Sequence, residues 1–583
     1  MAEPRHRGGP ARAWRDHLHR AWRVLPGRRQ HEAGGRLPHH RERVRGADHV
    51  RARAGADAVS ERPRPWLRGG NFGEVCTEAL RIDPDRRAIV AGDRELSFAQ
   101  LEERARRFAG LLPALGVSPG DTVALATGND WRFVESLLGT LMAGAVALLV
   151  NIKLSRETLA YISGHSDAKL IVADASLGDR ITAMAGGSPG LKAMLAIGDG
   201  LKAIDYDAAL ASASPLGEVR PSDPDGLALL MYTSGSTGRP KGCMLSHSNT
   251  WWQARSSARC MLLDHGDTGL VMGPLYHANA LWAILLPMLF VGGGVVILPQ
   301  FERRSVLEAI QRHGVTYTSG TPSMYSLLLA DPDADRFDLS SINLLQCGSA
   351  PVPDELMSRI KARFRCDVVE TYGLTEAGAN VLSPRWGIKK LGSTGLPVPD
   401  VEIKITVPDQ PDRECGPGEV GELWSRSPAN ALGYLHEPGL TAERFWPGGW
   451  MRTGDLMRRD EQGYCYFCGR TDDMISVGGE NVYPKEVETV VLSHPAVADV
   501  AVVPALHPVK GSAPVAFVVL KAGARATEDE IKQHCLANGP AYAHPRRVFF
   551  VASLPLSSTN KLDRGALKGR AAELLPHGLE AKR

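Results

Sequence analysis

Short apolar runs that alternate with helix-like patterns occupy the chain from about residue 72 to 470. Residues 122–126, 170–173, 227–232 and 367–370 each contain consecutive apolar residues, as is typical of strands that are covered on both faces. Between these runs, apolar residues recur with helical spacing. This alternation of strands and helices predicts an α/β fold in which parallel sheets are flanked by helices.

The pattern changes near residues 469–473, where a glycine and a charged cluster separate two strand-like runs, 464–467 and 474–477. About 110 residues follow, with mixed helix and strand patterns, which is enough for a small α+β domain. We therefore expect a large domain over residues 71–471 and a small C-terminal domain over residues 472–583.

The first 68 residues differ from the rest, because they hold seventeen Arg, no Lys and seven of the eighteen His. Pro and Gly interrupt this stretch, and it has no apolar core of the kind found in secretory signals. We interpret residues 1–70 as a disordered Arg-rich extension or a mis-assigned start. Residues 1–58 are accordingly expected to be dispensable.

Length and composition narrow the class of protein. A chain of 583 residues exceeds the size at which one hydrophobic core stops growing, so at least two domains are expected. Hydrophobic content of 43% and charged content of 23% are typical of a soluble globular protein. A net charge of +3 gives no electrostatic case for nucleic acid. The nine cysteines lack paired metal-ligand spacing, which suits a cytoplasmic protein.

The run 280–299 carries no charge and is long enough to suggest a membrane span. Pro287 and the glycines at 292–294 interrupt it, however, and it ends in a β-branched segment. We expect a helix, a turn and a buried strand here, and no membrane span.

A phosphate-binding loop is predicted at residues 232–242, which read Tyr-Thr-Ser-Gly-Ser-Thr-Gly-Arg-Pro-Lys-Gly after a buried strand pattern. Glycines let successive backbone amides turn toward one anion, hydroxyls add donors, and Lys241 supplies a positive charge. The spacing is not that of a Walker loop, since Gly242 follows the lysine where Ser or Thr should stand. The residues expected at the phosphates are Thr233, Ser234, Gly235, Ser236, Thr237, Gly238 and Lys241.

With this loop, the chain resembles the adenylate-forming superfamily of acyl-CoA synthetases, aryl-CoA ligases, adenylation domains and luciferases. The resemblance covers residues 72–570 and rests on several motifs in the family's order. They are Tyr372-Gly-Leu-Thr-Glu-Ala-Gly378, Gly421-Glu422, Gly433-Tyr434, Thr453-Gly-Asp455, Gly469-Arg-Thr-Asp-Asp473, Gly478-Gly-Glu-Asn481 and Asn560-Lys561.

The resemblance implies an enzyme that uses ATP and Mg²⁺ to join a small carboxylic acid to AMP and then forms a thioester with coenzyme A. Lys561 resembles the family's catalytic lysine, which bridges the carboxylate and the α-phosphate as charge builds there. Asn560 replaces the usual glycine before it and tolerates the same left-handed geometry. By the same resemblance, Glu376 holds Mg²⁺ against the phosphates and Thr375 contacts them directly.

The nucleotide site is likewise implied by the matched motifs. Asp455 would accept hydrogen bonds from both ribose hydroxyls, Arg470 would brace ribose or phosphate, and Tyr372 would stack on adenine. The remaining residues expected at ATP or AMP are Gly348, Ser349, Ala350, Glu370, Thr371 and Gly373.

His277 corresponds to an aromatic or histidine position near the family's acyl pocket, and we expect it to orient or gate the acid. His247 is a weaker candidate. The other residues predicted in the acyl pocket are Ala278, Asn279, Thr321 and Ala377, with Gly348 and Ser349 beside them. They are mostly small and have no obvious charged partner, which favours a medium-sized acid, aryl or medium-chain.

The CoA-binding segment is predicted at Gly478, Gly479 and Glu480, because the glycines permit close approach of a thin pantetheine chain. Asp472 matches the family's hinge. The resemblance thus implies an AMP-binding adenylation domain over residues 71–471 and, after the hinge, a mobile C-terminal domain over residues 472–583 that carries Lys561. Two alternatives to a CoA ligase stay open. One is a ligase that loads an acyl carrier protein, and the other is an inactive homologue that serves as a binding protein.

Overall fold

The computed structural model describes residues 70–233, 239–382, 388–477, 480–556 and 562–579. The strands in these ranges are β1 (Arg87–Ala91), β2 (Arg94–Ser97), β3 (Thr122–Ala126), β4 (Val146–Leu149), β5 (Ala168–Asp174), β6 (Ala193–Ile197), β7 (Ile204–Asp205), β8 (Leu227–Thr233), β9 (Lys241–Ser246), β10 (Thr268–Val271), β11 (Gly294–Ile297), β12 (Tyr317–Gly320), β13 (Leu344–Gly348), β14 (Asp367–Leu374), β15 (Gly378–Leu382), β16 (Leu396–Pro397), β17 (Glu402–Thr406), β18 (Gly421–Arg426), β19 (Gly433–Tyr434), β20 (Phe445–Trp446), β21 (Trp450–Arg459), β22 (Cys465–Arg470), β23 (Ile475–Val477), β24 (Glu480–Val482), β25 (Val497–His507), β26 (Gly511–Leu520) and β27 (Arg547–Phe550).

The α-helices in the same ranges are α1 (Thr77–Ile82), α2 (Phe98–Leu111), α3 (Trp131–Met142), α4 (Arg156–His165), α5 (Asp179–Gly187), α6 (Tyr206–Ser212), α7 (His247–Met261), α8 (Leu286–Val291), α9 (Arg303–His313), α10 (Pro322–Leu329), α11 (Asp354–Phe364), α12 (Pro438–Arg444), α13 (Pro484–Leu492), α14 (Glu528–Asn538) and α15 (Arg564–Leu574). A π-helix, Asn279–Leu285, precedes α8.

Two large sheets dominate the fold. One has nine strands in the order β16-β15-β14-β13-β12-β10-β11-β1-β2, and the other has eight in the order β19-β9-β8-β4-β3-β5-β6-β7. Strands β10, β12, β13 and β14 are parallel neighbours, so their carboxyl ends meet at one edge. In open parallel sheets, ligands bind at that edge.

The largest apolar cluster joins both sheets. It includes Val123 of β3, Val271 of β10 and Phe108 of α2. All five residues of β3 are buried, as expected for a strand covered on both faces. The four predicted strands, 122–126, 170–173, 227–232 and 367–370, lie in β3, β5, β8 and β14, so these predictions are confirmed.

Two smaller sheets complete the structure. Strands β17-β18-β21-β20 form one with β22 attached to β21, and β24-β23-β26-β25 form the other with β27 attached to β26. Sheet membership changes between β22, which ends at Arg470, and β23, which begins at Ile475. The last sheet has its own core, which contains Val477, Val502 and Ile531. The predicted α/β fold with a small C-terminal α+β domain is confirmed.

The uncharged run 280–299 forms part of the π-helix, then α8, a glycine turn and strand β11, which confirms the predicted helix, turn and buried strand. Among the described residues, no helix combines the length and the apolar character that crossing a membrane requires.

Candidate active site

An antiparallel strand pair holds both ends of the predicted phosphate loop. Thr233 ends β8, Lys241 begins β9, and the two are register partners. The ammonium of Lys241 lies 5.7 Å from the centroid of the Tyr434 ring. The described residues do not include Ser234, Gly235, Ser236, Thr237, Gly238, Gly478, Gly479 and Lys561, and their roles stay predictions.

The carboxylate of Glu376 lies beside this loop. Its Oε1 accepts a hydrogen bond from the Tyr434 hydroxyl at 2.9 Å and one from the Thr233 hydroxyl at 3.4 Å. Glu376 is only 8% exposed, whereas the preceding Thr375 is partly exposed. The structure therefore brings Thr233, Thr375 and Glu376 to one place, although β8 and the 375–376 turn are far apart in sequence.

Asp455 joins strands β14, β21 and β22. Its Oδ2 accepts a hydrogen bond from the Tyr372 hydroxyl at 2.5 Å, and its Oδ1 lies 3.2 Å from Nε of Arg470. Burial raises the pKa of Asp455, while the Arg470 guanidinium and the Tyr372 hydrogen bond lower it. Both carboxylate oxygens thus have protein partners, and a ribose would have to use their remaining lone pairs rather than two free oxygens.

The adenine side of the predicted site lies at the carboxyl ends of β13 and β14. Gly348 and Thr371 are register partners, and a Cβ on Gly348 would lie 2.5 Å from the Thr371 carbonyl oxygen. A side chain at 348 would therefore separate the two strands. Ser349 and Ala350 follow β13 directly, and Gly373 lies in β14.

Glu370, also in β14, has a strongly shifted pKa. Burial is the main cause and the Asp354 carboxylate adds to it, which raises the pKa of Glu370 to about 7. Lys485 and a hydrogen bond with Thr394 oppose the shift. Lys485 lies in α13 of the small C-terminal domain, so the charge of a residue in that domain lowers the pKa of a carboxyl on the adenine side of the site.

We expect Glu370→Gln to flatten the pH dependence of stability. The folded-state pKa of about 7 lies above the ordinary value of 4.5, so this carboxyl favours the fold most at low pH. That stability is lost as pH rises through 7. Thermal unfolding at pH 5 and pH 8 measures the effect, which is at most about 3 kcal/mol at pH 8 and smaller where water reaches the carboxyl.

The exposed Glu355 of α11 offers a matched control. Glu355→Gln should keep the wild-type pH dependence. If Glu370→Gln and Glu355→Gln behave alike, Glu370 does not titrate as described.

Sequence reasoning missed Arg444, the last residue of α12. Its Nη2 donates a hydrogen bond to the Thr453 carbonyl at 2.8 Å, and its charge acts on Tyr434, Glu376 and Asp455. Gly454 leaves room for it, because a Cβ there would lie 2.6 Å from Nη1 of Arg444. Arg444 lies between two family motifs but in neither, so only its position in the short intervening helix could have indicated a role.

Arg444→Met is expected to raise KM for ATP by about ten-fold, or ~1.4 kcal/mol, with a smaller effect on kcat. The reason is that Glu376 and Asp455 would lose the cation between them and repel each other when ionised. Arg444→Lys should restore part of the loss. The exposed Arg413 is the control, and an unchanged KM in Arg444→Met would contradict the positioning role.

The predicted acyl-pocket residues are partly gathered. The side-chain Nδ2 of Asn279 donates a hydrogen bond to Oγ of Ser349 at 3.4 Å. The backbone N–H of Asn279 donates one to Nδ1 of His277 at 3.3 Å. Ser349 has a left-handed backbone with φ of 65°, a strained state that is concentrated at functional sites. Ala377 is buried, Ala278 is partly exposed, and Thr321 caps α10 through the Met324 amide.

His247 has a structural partner. Its Nδ1 accepts a hydrogen bond from the Phe72 amide at 3.1 Å, and burial lowers its pKa to about 4. A neutral imidazole that anchors the start of the described chain accounts for this residue without a role at the substrate.

The predicted hinge and CoA segment flank β23. Asp472 is exposed and lies in the short 3₁₀-helix Thr471–Asp473. Glu480 is exposed and begins β24, where it pairs with Val477. Their predicted roles stay predictions.

Comparison with known proteins identifies the family. A model described as AMP-binding enzyme matches residues 76–435, and one described as AMP-binding enzyme C-terminal domain matches residues 486–561. The chain is 35% identical over 493 residues to the 2-succinylbenzoate–CoA ligase of Bacillus licheniformis, which covers 84% of this chain and 98% of that protein. The chain belongs to the AMP-binding enzyme family.

Other similar proteins agree with this assignment. This AMP-binding enzyme is 34% identical to a feruloyl-CoA synthase of Amycolatopsis sp. The match covers 86% of this chain and 100% of that protein. The structure of the anthranilate CoA ligase AuaEII with anthranoyl-AMP has a TM-score of 0.81 at 29% identity, and covers 86% of this chain and 98% of that one. ATP-bound MatB from Rhodopseudomonas palustris has a TM-score of 0.80 at 29% identity, and covers 86% and 99%.

The predicted superfamily and enzyme class are confirmed by these findings. The AMP-binding enzyme is an acid–thiol ligase, an AMP-forming acyl-CoA synthetase, with ATP and CoA as its substrates. Which acid it takes is a separate question.

Proposed function

We propose that this AMP-binding enzyme activates an aryl or medium-chain carboxylic acid as acyl-AMP and transfers the acyl group to CoA. The names of its relatives support an aryl acid, since they include 2-succinylbenzoate, feruloyl and anthranilate ligases. The predicted pocket residues also support it, because they are small and uncharged.

The reaction has two steps. In the first, a carboxylate oxygen of the acid bonds to the α-phosphorus of ATP, the bond to the β-phosphate breaks, and pyrophosphate leaves. In the second, the thiol sulfur of CoA bonds to the acyl carbon, the thiol gives up its proton, and AMP leaves. Lys561 would stabilise the charge at the phosphorus in the first step only.

The observation that carries the proposal is the convergence of six separate segments at one site. Thr233, Glu376 and Tyr434 are joined by hydrogen bonds on the phosphate side. Tyr372 and Arg470 hold Asp455 on the ribose side. Arg444 lies between the two groups, so the phosphate and ribose sides are held in one arrangement.

The residues fit the magnesium ion that the family implies. Mg²⁺ is usually held by one or two carboxylates together with substrate phosphates. Glu376 supplies one buried carboxylate beside the phosphate loop, and the described residues contain no cluster of three or more acidic, His or Cys ligands. When bound, Mg²⁺ would neutralise phosphate charge, and the hydrogen bonds of Tyr434 and Thr233 orient the carboxylate that would hold it.

The acceptor and the domain limits are part of the proposal. We place the large domain at residues 71–471 and the mobile domain at 472–583, with Gly478, Gly479 and Glu480 at the pantetheine path. Free CoA is favoured over an acyl carrier protein by the CoA ligases among the relatives.

Pyrophosphate release over a panel of carboxylic acids tests the first step, and mass spectrometry of acyl-CoA and AMP tests the second. We expect the largest rates with aryl or medium-chain acids. A clear preference for amino acids would contradict the proposed substrate class. Acylation of a carrier protein in place of CoA would contradict the proposed acceptor.

A further inference from the structure

Gln253 of α7 carries a buried donor that has no partner among the residues that the structure describes. The residue is 2% exposed, and its Nε2 makes no hydrogen bond to any of them. Leaving such a donor unsatisfied is unfavourable, so buried polar groups are normally paired. An acceptor on a bound ligand would satisfy this amide.

The amide lies against the turn that links the phosphate side to the acyl pocket. A Cβ on Gly378 would lie 1.1 Å from Nε2 of Gln253, so only glycine leaves space for the amide there. Gly378 follows Ala377 of the predicted acyl pocket and is two residues from Glu376. Two residues span at most ~7 Å. The amide is therefore close to where the body of the acid would continue from its reacting carboxylate.

Two more buried donors, which also lack a partner within the described part of the chain, lie in neighbouring segments. One is the hydroxyl of Tyr276, the residue before His277, and Tyr276 is 7% exposed. The other is the indole N–H of Trp282, which is 6% exposed and lies in the π-helix that packs against α7. All three groups are uncharged at neutral pH and donate hydrogen bonds. They suit an uncharged oxygen acceptor. A charged oxygen on the body of the acid would be buried there without a cation to pair with.

We propose that Gln253 sets substrate specificity by donating a hydrogen bond to a hydroxyl, methoxy or carbonyl oxygen on the body of the acid. The inference rests on the proposed function and narrows its substrate class to aryl or medium-chain acids that carry such an oxygen. An acid without this oxygen leaves the amide unpaired, which lowers its kcat/KM relative to the oxygen-bearing analogue.

Matched acid pairs test the inference in the pyrophosphate-release assay. Benzoate and cinnamate are compared with the same acids carrying one hydroxyl or methoxy group at each ring position, and a saturated medium-chain acid is compared with its keto forms. For at least one pair, the wild-type enzyme should favour the oxygen-bearing acid by about ten-fold or more in kcat/KM. Gln253→Leu should reduce that ratio to within about two-fold.

The ratio is read within each variant, so a general loss of activity cancels. Gln253→Glu keeps the side-chain size but loses the amide donors, so its preference for the oxygen-bearing acid should also fall to within about two-fold. This second variant tests the inference if Gln253→Leu does not fold. The exposed Gln311 provides the control, and Gln311→Leu should keep the wild-type ratio.

The outcomes separate the two proposals. If oxygen-bearing acids have no advantage, or if either soluble Gln253 variant keeps the advantage, the inference is overturned while acid activation stands. If no acid in the panel releases pyrophosphate, the proposed function fails instead.

Discussion

Lys561→Ala is expected to slow adenylate formation by a factor of about 10³ while thioester formation from supplied acyl-AMP stays near the wild-type rate. The lysine resembles the family residue that bridges the carboxylate and the α-phosphate, so its charge matters as negative charge builds at the phosphorus. In the second step the phosphorus is not attacked, and the charge is not needed there.

Single-turnover assays of each half-reaction measure this difference. The first uses ATP and the preferred acid and follows pyrophosphate, whereas the second uses synthetic acyl-AMP and CoA and follows the thioester. Lys521→Ala, at an exposed lysine of the same small domain, should leave both rates unchanged. Equal losses in both half-reactions of Lys561→Ala would contradict a role confined to adenylation.

Much of the fold was predictable from the sequence because its strands are covered on both faces. After Thr122, strand β3 is apolar for that reason, and so is most of β8. The run 280–299 was also predictable, because Pro287 suits the first turn of α8, and Gly292 follows the last residue of that helix shortly before β11 begins at Gly294. Register between distant strands was not predictable, since it depends on packing that a local pattern does not contain.

The candidate site shows the same division. Motif matches indicated Tyr372, Asp455 and Arg470 one by one, but only the pairing of β21 with β22 places Arg470 opposite Asp455. Tyr434 belongs to a matched motif, yet its hydrogen bond to Glu376 depends on the antiparallel pairing of β19 with β9. Arg444 and Gln253 belong to none of the matched motifs, and both stand out only through contacts with residues that are distant in sequence.

The structure supports Asp472 as the hinge through its two neighbours. Thr471 donates a hydrogen bond to the Gly454 carbonyl at 3.0 Å, which ties it to β21 of the large region. Asp473 forms an ion pair with Lys568 of α15 at 2.9 Å, which ties it to the small one. Asp472 lies exposed between these anchors, so a rotation about its backbone bonds would move one region relative to the other.

Asp472→Pro is therefore expected to preserve adenylate formation and to slow thioester formation by at least about ten-fold. Proline fixes φ near −65° and blocks the rotation that would withdraw Lys561 and bring the segment with Gly478, Gly479 and Glu480 to the site. The first half-reaction needs a single arrangement, whereas CoA needs a path to the acyl-AMP afterwards. The same two single-turnover assays measure the split, in the opposite direction from Lys561→Ala.

A matched Asp→Pro change controls for the effect of proline itself. Asp529 is exposed and lies in the first turn of α14, where proline is tolerated because the amide has no helical partner. Asp529→Pro should therefore leave both half-reactions at wild-type rates. If Asp472→Pro forms thioester normally, or loses both steps equally, rotation about Asp472 does not separate the two half-reactions, and one fixed arrangement must serve Lys561 and CoA alike.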